Sequence, residues 1–487
     1  MSSARMSNAS LIISLLLLLN GCTVYSAVDR AAAPLAMPDG FSTDQSEGTI
    51  DAHAAGNRWW TRLADDALDA FVDHVLSQNL DLAGAYTRVA QAEATRRAAG
   101  AGGQPQVSIG FNPSGAYSGA FESGGSAGQT NVPLTASLDY EFDVWGKYRH
   151  QRTAAAFDAA AARLDVESTA QRVVGDVVSA WLDRSEQLAL GALIEAQLKN
   201  TRTLLRVIEL RFANGQAGAA DVLAQRQQVA ALESQLPPIT GRVKVSEHRL
   251  AILAGQPPGT AVAGFAEGLP APPPLPRLGI PGELLRRRPD IRAAERRVAA
   301  ADHRVGVAVA DRYPSFRVGL SMGFGADTLT NFFKQWIVNL SAAIAAPLLD
   351  GGRRSAEVER ANAQTHELLT IYAKTILAAL GEVEDAVAQE RAQRALLVKL
   401  DLQVEVAALS LKTAEASFRE GQGDFTAVLG AQQSVLSVQQ SRLSASRRLL
   451  TLRTSLYRAL GGDWSAELAP VAPPVLKAEP TTPKASR

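Results

Sequence analysis

The feature that most constrains the fold of this 487-residue chain is that it repeats itself. At an offset of 209 residues, Asp81 aligns with Asp290, Ala85 with Ala294, Arg88 and Val89 with Arg297 and Val298, and Pro105 with Pro314. At an offset of 206, Phe212 aligns with Phe418, Gly215 and Gln216 with Gly421 and Gln422, and Val222 and Leu223 with Val428 and Leu429. A fixed period is the mark of a duplicated supersecondary unit. Two copies follow, 60–255 and 284–462, joined by a connector, 256–283, whose proline and glycine cannot continue a helix. A segment 22–59 precedes the copies and a tail 463–487 follows them.

Each copy carries the same order of patterns. A helix comes first, Asp65 to Ala99 or Pro289 to Asp311, and Pro289 suits a first helical turn because its missing N–H has no partner there. Strands come next. "LTASLDYEFDV" places Leu134, Ala136, Leu138, Tyr140, Phe142 and Val144 on one face and Thr135, Ser137, Asp139, Glu141 and Asp143 on the other, the period of two that a strand requires. "FRVGLSMGFG" repeats this with Phe316, Val318, Leu320, Met322 and Phe324 against Arg317, Gly319, Ser321, Gly323 and Gly325. Val107 to Asn112 and Trp336 to Leu348 complete one hairpin per copy. From Tyr148 to Phe212 and from Arg354 to Phe418 no proline occurs, enough for helices of roughly 90 Å. Ile194, Leu198, Thr201, Leu205, Ile208 and Phe212, like Leu400, Val404, Ala407, Leu411, Ala414 and Phe418, step by fours and threes, the spacing of a coiled coil. Return helices, Asp221 to Leu253 and Thr426 to Leu460, make each copy end in a helical hairpin with Gly215 or Gly421 at its tip. These glycines suit helix C-caps because glycine reaches positive φ without a steric cost.

No apolar run of about 20 residues follows the N-terminus, so no membrane helix is expected there. Strands remain as a way into a bilayer, but four strands leave two unpaired edges, which hydrocarbon does not tolerate, and membrane barrels begin at about eight strands. An oligomer pooling its strands is the economical solution, with the long helices projecting from it. Charge is balanced, 49 basic against 49 acidic residues, and nothing in it suggests a nucleic-acid partner.

The sole cysteine, Cys22, directly follows an apolar run from Leu11 to Leu19 that is broken only by Ser14. This length suits a signal-peptide core, so 1–21 is read as a segment removed on export. Leu19, Asn20, Gly21 and Cys22 resemble a bacterial lipobox, in which the cysteine is acylated. Asn20 departs from the usual small residue, and an ordinary signal peptide with an incidental cysteine is the alternative. Thr23 stands where lipoproteins held at the inner membrane usually carry Asp, so the resemblance favours the outer membrane.

Together these stretches resemble the TolC-type outer membrane factor family in its lipoprotein branch, the NodT or OprM-like group. The likeness is carried by "WWTRLADDALDAFVDHVLSQNLDL", "LDYEFDVWGK", "RRRPDIRAAERRVAAA", "PLLDGGRR" and the two F-x-x-G-Q tips, and it covers nearly the whole mature chain. It implies an α+β membrane protein, with a four-stranded contribution to a 12-stranded barrel in a homotrimer and an antiparallel coiled-coil tunnel in the periplasm. It further implies an efflux duct without catalysis or cofactor beyond the lipid on Cys22, docking with a periplasmic membrane-fusion adaptor and an inner membrane pump of the RND type. Protein secretion through the same duct is the runner-up, and a non-conducting structural lipoprotein is the rival from another class. The family closes its pore at the helix tips, where Arg211, Asp221, Arg419, Glu420 and Asp424 are the charges available for a gate. Some relatives carry acidic residues at positions matching Ala427 and Gly430, which this sequence lacks, and Asp424 is the expected substitute. A solvated helix end is the plainer reading of these charges. Gly215, Gln216, Gly421 and Gln422 are the expected adaptor contacts.

Gly319, Ser321 and Gly323 spell the G-x-S-x-G of a nucleophile elbow, with Asp350 and His366 following in hydrolase order. The elbow needs a strand-to-helix turn at the serine, however, and Ser321 falls inside an alternating strand. The histidines at 53, 74, 150, 248, 303 and 366 show no i, i+4 pair and are expected on the surface or in packing. "GAGG" at 100–103 precedes a strand and reads as a hinge, and Trp59 and Trp60 are expected in the core.

Overall fold

The computed structural model describes residues 24–26, 35–41, 50–51, 58–119, 126–261, 268–326, 336–461 and 468. Cys22 and the signal segment lie outside the described residues, as does the tail apart from Leu468. The chain forms two compact units, one from residues up to 34 with 89–162 and 293–373, the other from 35–88, 163–292 and 374–487. Each repeat supplies part of both.

The first unit holds the sheet, built from β1 (Gln106–Phe111), β2 (Ser114–Gly119), β3 (Ser126–Glu141), β4 (Ser315–Ala326) and β5 (Trp336–Ala345). Both β1 and β2 pair antiparallel with β3, β1 along 134–139 and β2 along 126–131. They are one arm interrupted at Asn112 and Pro113, because proline has no N–H for the ladder. Strand β3 also pairs with β4, and β4 with β5, all antiparallel. The sheet is thus four strands wide, a hairpin from each repeat. It differs from the sequence reading at its ends: β3 starts at Ser126, well before Leu134, and stops before Phe142 and Val144, while β5 stops before Leu348. The early stop of β3 has a cause. The Asp143 carboxylate accepts from the N–H groups of Tyr148 and Arg149 at 3.0 and 2.8 Å, turning the chain into a helix start.

Among the described residues, besides one short helical turn, Leu284–Arg287, eight long helices accompany the sheet. They are α1 (Asp66–Gln78), α2 (Leu80–Ala101), α3 (Lys147–Ala213), α4 (Ala219–Glu233), α5 (Leu236–Leu253), α6 (Pro289–Ala310), α7 (Arg353–Arg419) and α8 (Phe425–Ala459). The two 67-residue helices, α3 and α7, start by the same device. At α7 the Asp350 carboxylate accepts from Gly352 and Arg354 N–H at 3.1 and 3.3 Å, occupying donors that a helix start otherwise leaves unpaired. That is the structural content of the "FDVWGK" and "LLDGGRR" stretches.

In the second unit two expected helices turn out to be split. The first breaks at Asn79, whose side chain accepts from Leu82 N–H at 3.1 Å and donates to the Leu253 carbonyl at 2.8 Å. The return helix of the first repeat breaks at Ser234 and Gln235, and Pro237 and Pro238 then occupy the first turn of α5. Prolines are accommodated there and not within a helix. The equivalent helix of the second repeat, α8, runs 35 residues unbroken. Trp59 and Trp60 are buried as expected, though in a short 3-10 turn, Trp59–Leu63, ahead of α1. Ile194, Leu198, Thr201 and Ile208 are buried along α3. Phe212 is not, being 48% exposed one residue before the helix ends.

Arg288, in the "RRRPD" stretch, joins three parts of this unit. Its guanidinium donates to Asp290 and Glu382 at 2.6 Å each and to the carbonyl of Ala459 near the end of α8 at 3.2 Å. Replacing it leaves these acceptors unmatched, a loss of about 1–3 kcal/mol for such groups. Arg288→Ala should lower the thermal unfolding midpoint of the purified protein, and Arg288→Lys should recover only part of it, because a lysine cannot reproduce the fork.

Candidate functional site

Two surfaces carry functional chemistry, the two faces of the sheet and the two helical tips. Register sorts the sheet faces. Phe111, Leu134, Phe324 and Trp336 fall in one cross-strand row, Ile109, Ala136, Met322 and Val338 in the next on that face, and Val107, Leu138, Leu320 and Leu340 in a third. The alternate rows are Ser108, Ser137, Ser321 and Asn339, then Gln106, Asp139, Gly319 and Ser341. Ile109, Leu340 and Ile344 are 75%, 77% and 72% exposed. A contiguous apolar face of this kind belongs in hydrocarbon or an interface. Ser321 sits mid-strand between Ser137 and Asn339, so the elbow geometry of a hydrolase is not formed there.

The tips lie in the second unit. Helix α3 closes through Gly215 at φ 75°, with Gly215 N–H donating to Phe212 O at 2.9 Å and Gln216 N–H to Arg211 O at 2.8 Å. Helix α7 closes identically through Gly421 at φ 76°, with bonds to Phe418 O and Ser417 O at 3.2 and 2.9 Å. Both are Schellman caps, for which the left-handed glycine is the usual residue. Gln216 and Gln422 stand exposed beside them.

The tip charges divide by what they touch. Arg211 lies over the Phe418 ring, 4.8 Å from its centroid, and donates to the Phe418 and Arg419 carbonyls at 3.4 and 3.3 Å, so it ties the end of α3 to the end of α7. A cation at a helix C-terminus also complements the dipole. Beneath it Ile208, Val222, Phe425 and Val428 form a buried cluster, with Phe418 and Phe425 rings 5.2 Å apart. Asp221 accepts from Gly218 N–H at 3.0 Å, and Asp424 from Thr426 N–H at 3.3 Å, so each serves the start of a return helix. Hydrogen bonds from Thr426, side chain first and then backbone, hold the Asp424 carboxyl below its ordinary range. Arg419 bonds its own helix at Glu415 O, 3.1 Å away, and Glu420 is exposed. Sequence spacing brings out the glycines, but not the pairing of Arg211 with Phe418 across 207 positions.

A second contact lies in the first unit. His150 and His303 approach through their Nδ1 atoms at 2.9 Å, and Tyr25 packs on His150 edge-on while donating its hydroxyl to Asp302 at 2.9 Å. Gly306 makes room for this, since a Cβ there would meet His150 and Tyr25 at 2.8 and 2.9 Å. Burial is the largest influence on both imidazoles and lowers them below their ordinary value of 6.5; His150 is raised in part by a Tyr25 backbone bond, and His303 is lowered further by His150. Among the described residues no group of three or more His, Cys, Asp or Glu could hold a metal ion.

Residues 71–256 and 280–462 match the model of the outer membrane efflux protein family. The pyoverdine export outer membrane protein OpmQ of Pseudomonas putida is 32% identical over 425 residues, 84% of this chain and 89% of its own. Nodulation protein T of Rhizobium leguminosarum bv. trifolii is 29% identical over 410 residues, 81% of this chain and 85% of its own. The solved structure of the outer-membrane channel OprN matches with a TM-score of 0.82 at 27% identity, over 91% of this chain and 99% of that one.

Because a histidine held below its ordinary value resists protonation only in the folded state, it contributes stability that is present above about pH 6.5 and is lost as pH falls from there through the lower folded-state value. The thermal midpoint should therefore drop on acidification from about pH 7.5 to 5.5, and drop less in His303→Gln. Equal drops in the two proteins would show that the pair does not govern the response.

Proposed function

The chain belongs to the outer membrane efflux protein family, and from that premise we propose that three copies pool their four-strand sheets into one barrel and conduct small molecules through it. It is the outer membrane channel component of a tripartite efflux system, located in the outer membrane and extending into the periplasm. Its fold is TolC-like, a barrel sheet with a helical tunnel and two repeats. Members of this family work as trimers with an adaptor and an inner membrane pump.

The observation that supports conduction is the cross-strand register. It puts serine, asparagine, glycine and charged residues on one face and, Ile337 apart, the large apolar side chains on the other across all four strands. A closed barrel needs that division, lipid outside and water inside. A single sheet cannot close, since β1 with β2 at one side and β5 at the other have free edges among the described residues. Joining the β5 edge of one copy to the β1 edge of the next satisfies both, and three copies give twelve strands.

In this reading the tips form the periplasmic gate and the adaptor contact. Arg419 and Glu420, exposed and free of capping duties to other helices, are the candidates for contacts between neighbouring protomers. Arg211, Asp221 and Asp424 hold the tip in shape, so their removal loosens the gate indirectly. Gly215, Gln216, Gly421 and Gln422 present the surface that an adaptor of the membrane-fusion type meets, and an RND-type pump supplies the driving force. Cys22 carries a covalent lipid that delivers the chain to the outer membrane before the barrel closes.

Planar-bilayer recording tests the duct. The purified protein should give discrete channels, and Arg419→Ala with Asp424→Ala should raise open probability; no current even in that variant would sink the channel reading. In cells, deletion should increase accumulation of small toxic compounds while leaving secreted-protein levels unchanged. Cys22→Ser behind a cleavable signal should assemble into fewer trimers that conduct normally, whereas intact trimers passing no current would assign the lipid a role in conduction itself.

A further inference from the structure

We propose that Asp139 makes this duct cation-selective from inside the barrel. The proposal rests on the trimeric reading above. Only three residues of the five sheet strands carry a charge, Asp139, Glu141 and Arg317. All three fall on the polar face and at the same end of it. Glu141 and Arg317 stand opposite one another in register, with the guanidinium donating to the carboxylate at 2.8 Å. Two acids against one base leave one carboxylate per protomer uncompensated, and the geometry identifies it.

The row through Asp139 runs Gln106, Asp139, Gly319, Ser341. None of its neighbours is a cation. The Gln106 amide is turned away, donating to the Ala101 and Gln104 carbonyls at 2.8 and 3.2 Å. Gly319 has no side chain, and a Cβ there would meet the Ser341 hydroxyl at 2.8 Å and the Asp139 carboxylate at 3.3 Å. The Ser341 hydroxyl itself donates to the Gly319 carbonyl at 3.3 Å. Asp139 is exposed on this face. Closing the barrel from three copies places three such carboxylates on one level of the lumen, at a position reached by every permeating molecule.

Rings of acidic side chains in a narrow low-dielectric wall concentrate cations and repel anions. Screening acts over about 8–10 Å at ordinary salt, so the preference should strengthen as salt is diluted. The cargo it favours is cationic or zwitterionic, and anionic compounds should pass more slowly.

Reversal potentials across a potassium chloride gradient test this, recorded on the full-length protein. The unmodified channel should favour potassium over chloride. Asp139→Asn should cut that ratio by about twofold or more with single-channel conductance retained. Arg317→Gln frees Glu141 and should raise the ratio, while Glu141→Gln leaves the Arg317 charge uncompensated on the same face and should lower it. An unchanged ratio in Asp139→Asn, with current intact, overturns this assignment and leaves the duct standing. No current from any of the four proteins overturns the duct and the assignment together.

Discussion

Hydrocarbon offers no hydrogen bonds to a backbone, and this constraint orders everything else in the molecule. Each strand must pair on both sides, yet among the described residues one chain supplies a sheet with two free edges. Association is therefore required by the backbone as well as by the side chains. The period of two does the rest, since slipping β3 against β4 by a single residue would carry Leu134, Leu138 and Tyr140 to the polar face and Asp139 to the lipid. Long strands of 10 to 16 residues hold that register with many ladder bonds.

Outside the sheet, the same accounting of unpaired backbone groups places the conspicuous residues. Asp143 and Asp350 satisfy the first turns of the two longest helices. Gly215 and Gly421 close their last turns, and Asp221 and Asp424 open the helices that return. The motifs that mark this family in sequence are thus largely the punctuation of very long helices. The exposed charges at the tips, Arg419 and Glu420, and Asp139 on the polar face of the sheet stand outside this punctuation.

How much of this was legible depended on whether the cause was local. The ends of α3 and α7 fall within a residue of where proline-free length and terminal glycine place them, and the alternation of 134–141 reads off its two faces directly. The breaks at Asn79 and at Ser234 were missed, although Pro237 and Pro238 signalled the second. In the first, an asparagine serves a cap and bonds a carbonyl 174 positions away. His150 and His303 are 153 positions apart and belong to no common pattern, so only the fold brings them together. The candidate gate was partly legible. Composition showed which charges lie at the tips, whereas the bond of Arg211 to the far hairpin needed coordinates.

The interrupted return helix of the first repeat has a further consequence. Duplication alone would give each protomer two alike hairpins, and three protomers a ring with sixfold pseudosymmetry. Because α4 and α5 are split where α8 is continuous, hairpins of two kinds would alternate around the proposed ring, leaving threefold symmetry. In the trimer proposed above, a partner reading that ring would meet two distinct kinds of groove, and its rotational setting would be fixed to steps of one protomer.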